Sequence, residues 1–362
     1  MRRVAISFVV LFLLLQFHVA SAPRGVGGWL GEASGMASRG GTASISVLAP
    51  ISISSVFAPR PPSFPKLDKH RMITLIATGD VIPARSVNYE MFIRNDYTYP
   101  FLKTYKFTRA ADLTLINLES PLINGCTVTN SGMSFCGDPR VVAGLKLAGV
   151  DIANLPNNHI GNYGVAGIQE TEQHLTDAKI AWDGFGHTVY ATVKGVTFAF
   201  LGFNGVGQLV DIPEMSTEIH AARKRADVVV VSFHWGREYT SIPLTAPGIA
   251  DQDPRMIAHL AVKAGADVVV GNHPHWVQGI ELYQGKFIAY ANGNFVFDQM
   301  WSIETRQGVV ATYTFYGKHL ISVRFQPVQI DNYAQPHLLS AVEGAPILAR
   351  MREASLQIKK GY

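Results

Sequence analysis

Asp267-Val268-Val269-Val270-Gly271-Asn272-His273-Pro274-His275 joins a run of valines to two imidazoles held one residue apart by a proline. Consecutive β-branched residues suit a short strand buried on both faces, as in the interior of a parallel sheet. Four further runs have the same form: residues 73–77, 113–116, 152–155 and 228–231. Each leads within a few residues to a ligand-type side chain: Asp80, Glu119, Asn158 with His159, and His234. Helical patterns lie between them, with Val141, Val142, Leu145 and Leu147 in 139–148, and Met256, Ile257, Leu260 and Ala261 in 254–264. This alternation predicts βαβ units and an α/β fold. In such sheets ligands gather beyond the carboxyl ends of the strands, where all of these polar residues fall.

The chemistry of the set is that of a metal site. His273 and His275 can present nitrogens to adjacent cations from one loop that Pro274 stiffens. Asn158 offers a neutral oxygen ligand, and His159, next to it, titrates in the range useful for proton transfer. Taken singly the others are ambiguous. Asp80 after Gly79 also suits a turn, Glu119 a helix cap, and His234 a satisfied core position. The mixture of imidazole, amide and carboxylate favours Zn, Mn or Fe over Ca. Ligating imidazoles must be neutral, so affinity falls in acid.

The chain has 362 residues, 48% hydrophobic and 16% charged, enough apolar material for one large domain over about residues 72–339. Its net charge of +4 comes with no Lys/Arg-rich run interleaved with aromatics, which argues against nucleic acid as a partner. Arg2 and Arg3, the apolar run 4–15 and Ala20-Ser21-Ala22 read as a signal peptide over residues 1–22. The expected location is periplasmic or extracellular; an uncleaved leader would anchor the protein on the outer face of the cytoplasmic membrane. Residues 23–71 are rich in Pro, Gly and Ser and predict a poorly ordered linker. Cys126 and Cys136 fit a disulfide closing a surface loop in an exported chain, with two free thiols as the alternative. Alternation around Tyr316-Gly317-Lys318-His319 predicts a β-hairpin closing the second sheet, and 340–362 a tail with weak helical character.

Six blocks occur in a fixed order: Gly79-Asp80, Asn117-Leu118-Glu119, Asn157-Asn158-His159, His234-Trp235-Gly236 with Glu238-Tyr239, Gly271-Asn272-His273-Pro274-His275, and Gly293-Asn294-Phe295 with Phe297-Asp298-Gln299. In them the chain resembles the bacterial capsule-synthesis CapA family, associated with poly-γ-glutamate and similar to calcineurin-like metallophosphatases. The resemblance implies a single domain in the form of a four-layer α-β-β-α sandwich. It also implies two divalent transition metal ions. Asp80 and His275 would hold one, Asn158, His234 and His273 the other, with Glu119 bridging and His159 as acid. A hydroxide shared by both cations would be the nucleophile. Asn294 and Asp298 would orient ligands, and Arg85, Arg237 and Trp276 would contact substrate.

The chain departs from the wider phosphatase pattern at Ile82, where a metal-binding His is usual, and at Glu119, where Asp is usual. Phosphatase activity is therefore not inherited with the fold. Two classes of function follow. One is an exported metal-dependent hydrolase acting on an anionic cell-surface polymer such as poly-γ-glutamate. The other is a non-catalytic component of a capsule synthesis or export assembly, binding polymer or membrane capsule-synthesis proteins and using metal for structure.

Overall fold

A computed structural model describes residues 50–60 and 62–361 of the chain. The signal segment 1–22 and the first part of the linker fall outside the described residues. The helices are α1 (Ile53–Val56), α2 (Ser86–Arg94), α3 (Tyr105–Thr108), α4 (Val142–Leu147), α5 (Gly164–Asp177), α6 (Ile212–Arg223), α7 (Pro254–Ala264) and α8 (Ala341–Lys360). The strands run β1 (Met72–Val81), β2 (Leu113–Leu118), β3 (Ile152–Asn154), β4 (Ala181–Asp183), β5 (Val189–Val193), β6 (Val196–Asn204) and β7 (Val228–His234). They continue with β8 (Val268–Asn272), β9 (Ile280–Tyr283), β10 (Lys286–Ala289), β11 (Asn294–Val296), β12 (Gln307–Tyr316), β13 (His319–Asp331) and β14 (Gln335–Leu338).

One sheet has the order β14-β13-β12-β1-β2-β3-β4, with β11 also paired to β1; the other has the order β5-β6-β7-β8-β10-β9. The five apolar runs read from the sequence are β1, β2, β3, β7 and β8. β1–β2–β3 and β7–β8 pair in parallel. Period-two alternation then sorts their side chains into layers. Leu75, Leu115 and Ile152 meet Phe200, Val230 and Val268 between the sheets. Ile76, Ile116 and Ala153 point the other way, against Met91, Leu145 and Leu175 of the helices on the outer face. Val229, Val231 and Val269 do the same against Met215, Ile219, Ile257 and Ala261. The result is the expected four-layer α-β-β-α sandwich.

Local signals mark the helix ends. Asp253 caps α7 by accepting from Arg255 N at 2.8 Å, Pro254 occupies the first turn, and Gly265 terminates the helix at φ 124°. The predicted helix over 139–148 begins as a 3₁₀ turn, Pro139–Val141, capped by Asp138, and continues as α4. The tail forms α8, opened by a reciprocal Ser340/Glu343 capping box.

Two expectations need correction. The hairpin β12–β13 closes the first sheet and not the second, because β12 pairs antiparallel along the edge of β1 from Met72 to Ala77. Within the stretch read as linker, residues 50–60 pack: Val56 is buried in the inter-sheet core, Phe57 stacks on Phe325, and Arg324 Nη1 donates to Ala58 O at 2.5 Å. The apolar residues there cover a part of the core that the sheet alone leaves open. The Cys126–Cys136 disulfide is present. Among the described residues, no helix is long and apolar enough to cross a membrane.

One close approach sets the first ligand. At the end of β1 the pairing register shifts, and Asp80 N donates to Gly293 O at 2.9 Å. A Cβ at Gly79 would stand 2.0 Å from that same Gly293 oxygen. Only glycine lets the two backbones meet here. Gly79→Ala is therefore expected to destabilise the chain by about 1–3 kcal/mol, read from the midpoint of urea unfolding; an unchanged midpoint would show that the approach is not required.

Candidate metal centre

The carboxyl ends of β1, β2, β3, β7 and β8 meet at one rim. Asp80 lies near the end of β1, Glu119 directly follows β2, Asn158 and His159 follow β3, His234 ends β7, and His273 and His275 follow β8. All of these except Asn158 are buried. Two groups bring one ligand atom from each member to within 4.8 Å of the others: Asp80, Glu119 and His234, and Glu119, His273 and His275. Glu119 is common to both groups, but they pair Asp80 with His234 and His273 with His275, where the resemblance implied Asp80 with His275 and His234 with His273. Asn158 joins the first group, its Oδ1 lying 2.8 Å from His234 Nε2. His273 neighbours both other imidazoles, its ring centroid 4.8 Å from that of His234 and 5.9 Å from that of His275.

The electrostatics of this cluster suit a cation. Glu119 Oε1 and both ring nitrogens of His273 are buried with no hydrogen-bond partner among the described residues. Unpaired buried polar atoms each carry a substantial desolvation penalty. Burial, reinforced by the charges of Asp80 and Glu238, pushes the Glu119 carboxyl well above its usual range. Burial and the neighbouring imidazoles hold His234 and His273 well below theirs, so both are neutral. Neutral imidazoles, unpaired acceptors and a carboxylate that needs a counter-charge are the donor set a divalent transition metal ion takes.

Outer residues fix the orientation of this set. Asn117 Nδ2 donates to Asp80 Oδ1 at 2.8 Å and Glu119 Oε2 at 3.1 Å. Strand alternation puts residues 117 and 119 on one face, which was a signal available in the sequence. Asn157 is structural: its Oδ1 accepts from the backbone of His159 and Ile160, and its Nδ2 donates to Leu118 O and Leu155 O. Asn294 Nδ2 donates to Thr305 O, which turns its Oδ1 toward His275 Nδ1 at 2.9 Å. Asp80 Oδ2 faces the same nitrogen at 3.1 Å. With two acceptors against it, Nδ1 carries the proton and Nε2 is bare. His273 and His275 have φ values of 96° and 56°, conformations rare outside glycine and found where function holds the backbone.

A cleft of about 560 Å³ opens beside His159 and His275. His159 is clamped there. Its ring stacks on Phe135 at 3.9 Å, and its Nδ1 donates to Asn162 Oδ1 at 3.1 Å, an oxygen that also accepts from Phe135 N at 2.7 Å. Phe135 adjoins Cys136, so the surface loop that the disulfide closes also forms a wall of the cleft. Burial lowers the His159 pKa to about 4, which leaves it neutral at pH 7. Arg85 also lines the cleft, but Asp298 pairs with its guanidinium and accepts from Ser86 N at 3.0 Å. Asp298 therefore orients Arg85 and no metal ligand. Ile82 packs in an apolar cluster with Phe135 and Phe297.

Arg237 and Trp276 are not part of the cleft lining. Arg237 is exposed, and Trp276 is half-buried with its Nε1 enclosed. Lining residues that the sequence reading gave no role include Glu238, Tyr239 and Trp301. The first two follow His234-Trp235-Gly236 closely enough to have been suspected. Because burial depresses the His159 pKa and the Asn162 contact raises it, Phe135→Ala is expected to move that pKa from about 4 toward 6.5, and Asn162→Ala to move it further down. Titration of the imidazole by NMR in the chelated protein checks both signs; no upward movement in Phe135→Ala would contradict the clamp.

Comparison with known proteins identifies relatives of the chain. The chain is 28% identical over 308 residues to the capsule biosynthesis protein CapA of Bacillus anthracis, covering 76% of this chain and 72% of that one. It is 33% identical over 246 residues to the PGA biosynthesis protein CapA of Bacillus subtilis, covering 62% of each. A solved structure of a hypothetical protein from Thermus thermophilus aligns with a TM-score of 0.49 at 15% identity, covering 72% of this chain and all of that one, too distantly to carry an argument. The profile of the bacterial capsule synthesis protein PGA_cap matches residues 74–299, a span that holds every candidate ligand from Asp80 to His275. The chain belongs to the PGA_cap family of bacterial capsule synthesis proteins.

Proposed function

We propose that this chain is an exported metal-dependent hydrolase that processes an anionic capsule polymer such as poly-γ-glutamate. The observation that carries the reading is the buried, unpaired state of His273 and Glu119 Oε1 at the rim of the cleft. Asp80, Glu119, Asn158, His234, His273 and His275 would hold two divalent transition ions, of Mn, Fe or Zn. Such ions supply Lewis acidity and a water of lowered proton affinity. The names of the Bacillus relatives support the polymer assignment. Membrane proteins of the capsule machinery are the partners this role calls for, and the leader at residues 1–22 would carry the chain to them.

The side chains divide the remaining work. Asn117 and Asn294 keep the carboxylates and His275 in place. His159, neutral at pH 7 with its Nδ1 proton committed to Asn162, has Nε2 available to take a proton from the attacking water and return it to the leaving atom. The Arg85–Asp298 pair presents little net charge to a substrate, so attraction of carboxylates falls mainly to the cations. Tyr239 and Trp301, packed edge to face at 4.8 Å, offer an apolar wall for the polymer backbone.

A second reading, a non-catalytic assembly component with a structural metal, is favoured by one observation. Ile82 gives the centre an apolar neighbour where a further ligand would strengthen it. Hydrolysis assays of the full chain on poly-γ-glutamate and on generic phosphodiesters separate the two. The hydrolase reading expects turnover that falls about 10²–10⁴-fold in His159→Ala while metal content stays unchanged. Absence of turnover on both substrates by metal-loaded protein would favour the second reading.

A further inference from the structure

Glu238 lies in the loop after β7 and lines the cleft beside His275. Tyr239 N donates to Pro274 O at 2.9 Å, which clips this loop to the one carrying His273 and His275. The clip sets Glu238 Oε1 3.9 Å from His275 Nε2. That separation is too long for a hydrogen bond. It does suit two atoms bound to a single ion, since metal–ligand bonds of about 2.0–2.2 Å allow their donor atoms to stand up to about 4.3 Å apart. His275 Nε2 is the bare nitrogen of that ring, because Nδ1 is held by Asn294 and Asp80.

The two groups at the rim are also unequal. Asp80, Glu119 and His234 have Asn158 as a fourth donor, whereas Glu119, His273 and His275 have three side chains. Four-coordinate Zn, and six-coordinate Mn or Fe still more, leave room there for another oxygen. Glu238 is partly exposed at the cleft, and its only ion-pair partner among the described residues is His275. Its charge nonetheless reaches Glu119 and helps to raise that carboxyl. The unpaired nitrogens of His273 point to a ligand independently of Glu238.

We infer that Glu238 is a further metal ligand, completing from the cleft side the coordination of the cation held by Glu119, His273 and His275. The inference rests on the proposed metal centre. The ion would give this carboxylate, which has no Lys or Arg partner among the described residues, its counter-charge, and Glu238 in turn places the ion at the wall where substrate enters.

The test is titration of Mn²⁺ into the chelated full chain, followed by EPR and by elemental analysis after gel filtration, for wild type, Glu238→Ala and Glu238→Gln. Glutamine keeps the length of the side chain and can donate from its amide to His275 Nε2, but it replaces the charged carboxylate with a neutral group. The expected result is two Mn²⁺ per wild-type chain, and in both variants a rise of tenfold or more in the Kd of one site. The other site should be unchanged, and the EPR signature of a coupled pair should be lost at limiting Mn²⁺. Matching circular dichroism of the three metal-free proteins excludes misfolding as the cause. Binding by Glu238→Ala with both wild-type constants would overturn the inference and leave the metal centre standing. A wild-type chain that holds no Mn²⁺ would overturn the centre and this ligand with it.

Discussion

A buried carboxylate surrounded by buried neutral imidazoles is the constraint around which this structure is arranged. Glu119 is fully enclosed, Asp80 is close enough to repel it, and no Lys or Arg forms an ion pair with either among the described residues. Protein interiors accept such a group only with a proton, a counter-charge or a full set of hydrogen bonds. Asn117 supplies one donor to Glu119 Oε2, and Oε1 has none. Each unusual feature nearby follows the same need. Gly79 removes a side chain so that Asp80 can be anchored to the Gly293 carbonyl. The left-handed conformations of His273 and His275 aim two rings inward from one short loop, and Asn294 and Asn117 lock the orientation of what they touch.

The cleft beside this cluster has a different character. Its cation, Arg85, is cancelled by Asp298 and flanked by Phe135 and Phe297, with the guanidinium carbon 4.7 and 5.1 Å from their ring centroids. The disulfide loop contributes Phe135, and through it governs where His159 stands. Glu238 adds negative charge at the opening. Without metal, an anionic polymer would meet a surface poor in net positive charge; with divalent ions the sign of the field at the rim reverses. Under the proposed function, binding of such a polymer and loading of metal would thus be physically linked.

Much of this was legible in the sequence because its decisive signals are local. Triple valine before Gly271-Asn272-His273-Pro274-His275, or Leu113–Leu118 before Glu119, states both a buried strand and what emerges from its end. Asp253-Pro254 and Gly265 delimit α7 by capping chemistry alone. What escaped depends on contacts between distant segments. The hairpin after Gly308 joins β1 because that edge is free, a fact about sheet order and not about residues 307–331. Arg237 and Trp276 sit one residue away from cleft-lining Glu238 and His275, and turns with positive φ at Tyr239 and His275 redirect neighbouring side chains. Asp298 resembled an outer ligand support until its partner, Arg85, was located 213 residues away.

Anomalous X-ray diffraction from crystals of the full chain grown with Mn²⁺ tests the proposed metal centre most directly. The account predicts two anomalous peaks about 3.5–4 Å apart, both within bonding distance of Glu119, with His234 ligating beside Asn158 and His273 through a ring nitrogen that otherwise has no partner. Peaks absent from this rim, with His273 instead hydrogen-bonded to ordered water and Glu119 protonated, would contradict it.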